Sequence, residues 1–268
     1  MTHHPLTVAH LTALDLPPPA FIEAAAAAGF DGVGLRLIQV TPETPGYDLA
    51  SDAALMRDTR TALASAGTYV HDIEFVKITP DTRVQDLLGF LDAGAELSAR
   101  QVITAPYDPD LSRLADTLAG LDEAARERGL GTVLEFFPWT VVPDLDTCWR
   151  VVQQAGDHVG LLVDALHFDR SGSSLPLLAA IPSERLPFAH LCDAPVCPPY
   201  DTAALLATAR GDRLAPGDGA IDLAAFIGAL PAGIPFGLEV PMTAETQAKG
   251  AEAVLAHIYA RTCRLLGQ

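Results

Sequence analysis

Along this chain eight apolar runs of strand length alternate with eight longer stretches of helical period, a pattern that few folds accept. The strand candidates are Leu6–His10, Gly32–Leu37, Tyr69–Phe75, Gln101–Ala105, Thr132–Phe136, Gly160–Asp164, Phe188–Asp193 and Phe236–Val240. Between and after them, helical period is expected over Pro19–Ala28, Ser51–Ala66, Val84–Ser98, Leu111–Arg128, Leu145–Gln154, Ser174–Ala180, Leu223–Ala229 and Thr243–Leu266. Runs such as VLEFF and LLV are near-continuously apolar rather than alternating, as strands buried on both faces of a helix-covered parallel sheet are. Gly29 and Gly67 follow helical segments where a left-handed terminal residue is expected, and Pro19 suits a first helical turn. The Ala-rich run before Gly29 reads as helix packing surface. The expected fold is α/β, a (β/α)₈ TIM barrel forming one domain over residues 1–268, with a doubly wound open sheet as the alternative.

In both of those folds ligands gather at the carboxyl ends of the strands. Glu135, Asp164, His190 and Glu239 each lie at the end of one apolar run, on the fifth to eighth strands, so a barrel would bring them together. Any one of them alone is more often a cap or a surface residue; the shared register is what points to a site. Three carboxylates and one imidazole form a mostly hard oxygen donor set for one divalent metal ion. Mn²⁺ is preferred and Mg²⁺, Co²⁺ or Zn²⁺ are allowed, while a thiolate-type structural zinc is disfavoured.

Charge narrows the partners. With 17 Lys+Arg against 34 Asp+Glu the formal net charge is −17, which opposes nucleic acid and anionic membrane surfaces. Only two lysines, Lys77 and Lys249, are present, so an anion site has to draw on arginines or backbone amides, and a heavily phosphorylated substrate is disfavoured. Cys148, Cys192, Cys197 and Cys263 lack disulfide-framework spacing and read as reduced thiols. Cys192 and Cys197 have no second close Cys or His pair that would make a zinc site. A signal segment or membrane span is not evident, so a cytoplasmic enzyme with a small-molecule substrate is expected, and a homo-oligomer is left open.

These pieces together resemble the xylose isomerase-like TIM-barrel superfamily, the sugar phosphate isomerases and epimerases. The resemblance rests on the Glu of VLEFF, Asp164 and His167 in D-x-x-H, the His of AHLCD, RLAPGDGAID at 213–222 and the Glu of LEVP, and it spans essentially the whole chain. It implies that Glu135, Asp164, His190 and Glu239 hold one divalent ion and that Glu135 and Glu239 also act as acid and base. It further implies that His167 bonds the substrate. The chemistry implied is proton abstraction beside a carbonyl to give an enediolate, followed by epimerisation, isomerisation or, as a lyase, dehydration of an oxidised sugar, cyclitol or 3-dehydroshikimate-like acid.

Departures from the resemblance shift the expected substrate. Ketose 3-epimerases of the superfamily carry a substrate-binding Glu six residues past the first ligand and an Arg six past the metal His; here those positions are Val141 and Val196. Phe136, Phe137, Pro138 and Trp139 would instead wall the metal with apolar surface. The multi-zinc endonucleases of the superfamily need more histidines, a set that His3, His4, His10, His71, His158 and His257 do not reproduce. Glu74 would either bond a substrate hydroxyl or pair with Arg36. The expected substrate is uncharged or carries one carboxylate, with an apolar portion on Phe136, Phe137 or Trp139 and any single anionic group met by Arg213, Arg36 or Arg170. Arg213 would otherwise form a structural salt bridge, and Asp193 would orient a ligand or cap the next element.

Overall fold

The strands are short and bury both faces, so each depends on its neighbours for its backbone hydrogen bonds. In the computed structural model, which describes residues 3–42 and 44–268, they are β1 (Leu6–Val8), β2 (Gly32–Arg36), β3 (Tyr69–Ile78), β4 (Gln101–Pro106), β5 (Gly131–Glu135), β6 (Gly160–Asp164), β7 (Ala189–Leu191) and β8 (Phe236–Leu238). All pair in parallel in chain order, and β1 pairs with β8, which closes a (β/α)₈ barrel and excludes the open sheet. Ile103, Val133, Leu162 and Phe188, from β4, β5, β6 and the residue before β7, form a fully buried apolar cluster of their own. Apolar packing of this kind, here from four successive strands, fills the barrel interior and leaves a site only at its ends.

Helices cover the outside for local reasons. Asp52, Asp110 and Asp144 each accept backbone N–H bonds at the first turn of the helices Ala53–Ala66, Leu111–Arg126 and Leu145–Ala155. The last of these buries Leu145, Cys148, Val151, Val152 and Ala155, one stripe at helical spacing. The helix Pro18–Ala28 starts on prolines and ends on Gly29 at φ 107°, whose N–H bonds Ala25 and Ala26 carbonyls.

Several boundaries differ from those expected. β1 stops at Val8 because His10 opens a 3₁₀ turn, with its Nδ1 accepting from the Arg36 N–H and its Nε2 against the Leu16 carbonyl. β3 continues past Phe75 to Ile78, since a register shift against β4 between Ile73 and Val76 lets pairing resume with Thr104, Ala105 and Pro106. Two unexpected helices, Ala165–Ser171 and Thr202–Gly211, follow β6 and β7, and the expected C-terminal helix is broken at Gly250 into Thr243–Lys249 and Ala251–Leu266.

Candidate metal centre

The barrel register brings the four predicted ligands together. Glu135 and Asp164 end β5 and β6, His190 is the middle residue of β7 rather than its last, and Glu239 follows β8 by one. Asp164 pairs with His190 and His190 with Gly237 across adjacent strands. Gly237 is required there: a Cβ would stand 2.7 Å from His190 Cδ2. One donor atom from each of Glu135, Asp164, His190 and Glu239 lies within 4.8 Å of the others, and all four residues are buried.

The polar atoms are arranged as a cradle rather than as a closed hydrogen-bond network. Both ring nitrogens of His190 and Oε1 of Glu135 are buried without a partner. Each such atom left unsatisfied costs about 1–3 kcal/mol, so a cation accepting their lone pairs is the natural complement. Asp164 divides its work: Oδ1 accepts from the Leu166 and His167 N–H groups at 2.8 and 3.1 Å, capping the helix Ala165–Ser171, while Oδ2 meets the cluster.

Arg213 enters the centre. Its guanidinium reaches Asp164 Oδ2 and Glu239 Oε2, both at 2.6 Å, and the Sγ of Cys192 at 3.3 Å, and it is itself buried. Of the two roles open to it, the ion pair is therefore made, and made to two predicted ligands. Three carboxylates against one guanidinium leave two negative charges uncompensated. Burial, then Glu239 and Asp164, push the Glu135 carboxyl well up, and burial also raises Glu239 against the opposing pull of Arg213. Burial raises Asp164 too, but Arg213 and the two imidazoles outweigh it and bring it to about 2. Burial holds His167 at about 3 and His190 at about 4, so both imidazoles are neutral at physiological pH. The donor set thus fits a divalent cation in charge and in available lone pairs.

A cavity of about 300 Å³ opens over this centre. Glu135, Glu239, His167 and Arg213 line it together with Phe75, Tyr107, Phe137 and Trp139. His167 lies 3.8 Å from Glu135, has neither ring nitrogen bonded, and packs edge-on against Phe137 and Trp139. The apolar wall is accordingly Phe137 and Trp139; Phe136 faces the opposite way, into the main core. Glu74 pairs with Arg36 at 3.2 Å and keeps one unbonded oxygen, and of the two only Arg36 lines the cavity. Val141 and Val196 are 40% and 37% exposed and lie outside it. Asp193 does not bond His190 but accepts from the Ala194, Gly217 and Ile221 N–H groups, fastening the turn after Arg213. Cys192 is buried with its thiol pushed up to about 12 by burial, in keeping with an inert thiol, whereas Cys197 is exposed.

Sequence reasoning missed Lys77, Tyr107 and Arg210 as cavity residues and Asp72 as a buried carboxyl. Lys77 lies on the extension of β3 beyond its expected end, and Arg210 on the unexpected helix after β7. The rarity of lysine was the one signal that marked Lys77.

Residues 22–261 match the xylose isomerase-like TIM barrel family. The chain belongs to that family. Among curated relatives, the 3-dehydroshikimate dehydratase of Pseudomonas aeruginosa is 30% identical over 225 residues, 78% of this chain and 33% of the relative, so the chain spans about a third of that protein's length. The inosose isomerase of Bacillus subtilis is 30% identical over 158 residues, 55% of each chain. A crystal structure of the IolI protein with a bound zinc atom superposes with a TM-score of 0.82 at 20% identity, over 99% of this chain and 98% of that one. Members of this xylose isomerase-like family thus carry both isomerase and dehydratase names. Among the described residues no helix is long and apolar enough to cross a membrane.

Proposed function

We propose that this family member is a divalent-metal-dependent isomerase or epimerase that moves a proton at a carbon beside the carbonyl of a sugar-like polyhydroxy compound. The observation that carries the reading is the charge and donor pattern at the strand ends: three buried carboxylates face one guanidinium, beside an imidazole with no hydrogen-bond partner. Glu135, Asp164, His190 and Glu239 would hold the ion, with Mn²⁺ preferred for three hard oxygens and one nitrogen. When bound, such an ion would polarise a carbonyl oxygen and stabilise the negative charge that grows there as the neighbouring proton leaves.

The chain's own residues supply the rest. Glu135 and Glu239 border the cavity, which supports their taking the proton and returning it, on opposite faces for epimerisation or to the adjacent carbon for isomerisation. His167, neutral and unbonded, offers one donor and one acceptor to substrate hydroxyls. Arg213 holds Asp164 and Glu239 in place, and Phe137 and Trp139 exclude water beside His167.

A lyase reading shares the first step and then expels a β-hydroxyl. The relative named as a dehydratase, aligned over 78% of this chain, supports it, as do the cavity's aromatic walls. Reaction of candidate sugars, cyclitol ketones and cyclic hydroxy acids in deuterated water separates the two. Deuterium at the carbon beside the carbonyl with retained composition supports the isomerase, and an unsaturated product supports the lyase. Turnover that survives chelation and incorporates no deuterium would refute both.

A further inference from the structure

The cations of the cavity divide into two groups. Arg213 is committed to Asp164 and Glu239, and Arg36 to Glu74. Lys77 and Arg210 also line the cavity, and no salt bridge to either is formed among the described residues. The Lys77 ammonium donates to the Val40 carbonyl at 2.8 Å and stands 5.3 Å from the Tyr107 ring centroid, which leaves two of its three N–H groups available. Arg210 is exposed at the last turn of the helix Thr202–Gly211. Burial first, then the positive charges of Arg210 and Arg36, lower the Lys77 ammonium, so the charges it feels are themselves cationic. In a chain with 34 acidic residues and 17 basic ones, two cations lining the same cavity without a salt bridge among the described residues are a specific arrangement.

Each cation has an ordinary explanation: Lys77 is tied to a carbonyl, and Arg210 complements a helix C-terminus. Neither explanation accounts for both sharing one cavity with four aromatic rings and two carboxylates. We propose that Lys77 and Arg210 form a subsite for the single carboxylate of a cyclic polyhydroxy acid, whose carbonyl end lies at Glu135 and Glu239 and whose ring rests among Phe75, Tyr107, Phe137 and Trp139. The assignment rests on the metal-dependent reading above and narrows its substrate class. A phosphate monoester would engage the same two cations, and the titration includes one to separate it from a carboxylate.

Isothermal titration of the metal-loaded chain tests the subsite without requiring turnover, with quinate, quinate methyl ester, inositol and inositol monophosphate as probes. Charge-assisted bonds of this kind predict that quinate binds about tenfold or more tightly than its ester. Lys77→Met and Arg210→Met should each shrink that ratio and the double variant should bring it near one, with inositol affinity unchanged. Asp164→Ala should weaken all four probes together and preserve the ratio, so the metal reading and the subsite fail separately. The subsite is overturned if the ester binds as tightly as quinate, if the ratio survives in the double variant, or if inositol monophosphate binds better than quinate. Absence of binding by all four probes overturns the polyhydroxy reading and the subsite with it.

Discussion

Asp164 is the residue at which the structure makes the most separable demands, and replacing it tests the centre quantitatively. Its Oδ1 caps the helix Ala165–Ser171 and its Oδ2 meets Arg213 at 2.6 Å beside the three other proposed ligands. Loss of an N-cap costs about 1 kcal/mol. Depriving a buried guanidinium of a partner costs about 3–5 kcal/mol, and the lower end applies because Glu239 remains on Arg213. Unfolding of 268 residues at roughly 2.1 cal/mol/K each carries about 0.56 kcal/mol/K, so each kcal/mol moves Tm by about 1.8 °C. Metal-free Asp164→Ala should therefore melt about 7 °C below metal-free wild type, and Asp164→Asn, which keeps the cap, about 2 °C above the Ala variant. Free metal at a hundred times its Kd stabilises by about 2.7 kcal/mol, which raises the wild-type Tm by about 5 °C. Asp164→Ala should show no such rise at that concentration. Scanning calorimetry with and without chelator, paired with elemental analysis, reads all three quantities. A full metal-induced rise and one tightly bound ion in Asp164→Ala would refute the ligand set.

Further expectations are independent of that one. Glu135→Gln and Glu239→Gln keep an oxygen for the ion and lose the proton acceptor, so turnover should fall by about 10²-fold or more, with metal content far less affected; equal loss of both would contradict the acid/base role. Gly237→Ala would drive a methyl group into the His190 ring, where a Cβ would stand 2.7 Å away, and should weaken metal binding more than it lowers Tm, as titration of the ion against the folded variant would show. Asp72 is buried with its carboxyl pushed well up, first by burial and then by Glu74 and Glu239, so it is protonated in the fold at pH values where the unfolded chain ionises. Its contribution to stability is full below about pH 4 and is lost as pH rises through the folded value. Asp72→Asn should accordingly change Tm little at pH 4 and raise it increasingly toward pH 8; a difference that shrinks with rising pH would reverse the sign of this account.

The architecture and most of the centre were legible in the chain because both depend on local order. Apolar runs buried on both faces specify a parallel sheet, Pro19 suits a first helical turn, and Gly29 and Gly67 mark helix ends. Once eight strands close in sequence order, residues at strand ends must converge, which is why Glu135, Asp164, His190 and Glu239 could be grouped from position alone. Tertiary structure decided what neighbours across the barrel make of them. That Arg213 bridges Asp164 and Glu239 depends on a loop folding back by way of Asp193, which no periodicity records. That Phe137 lines the cavity while Phe136 joins the core is settled by where the strand ends, and that Lys77 reaches the cavity is settled by a register shift against β4. Periodicity carries which face a residue takes within one element; distances between elements are set by closure of the barrel and by the packing of the loops above it, and these exist only in three dimensions.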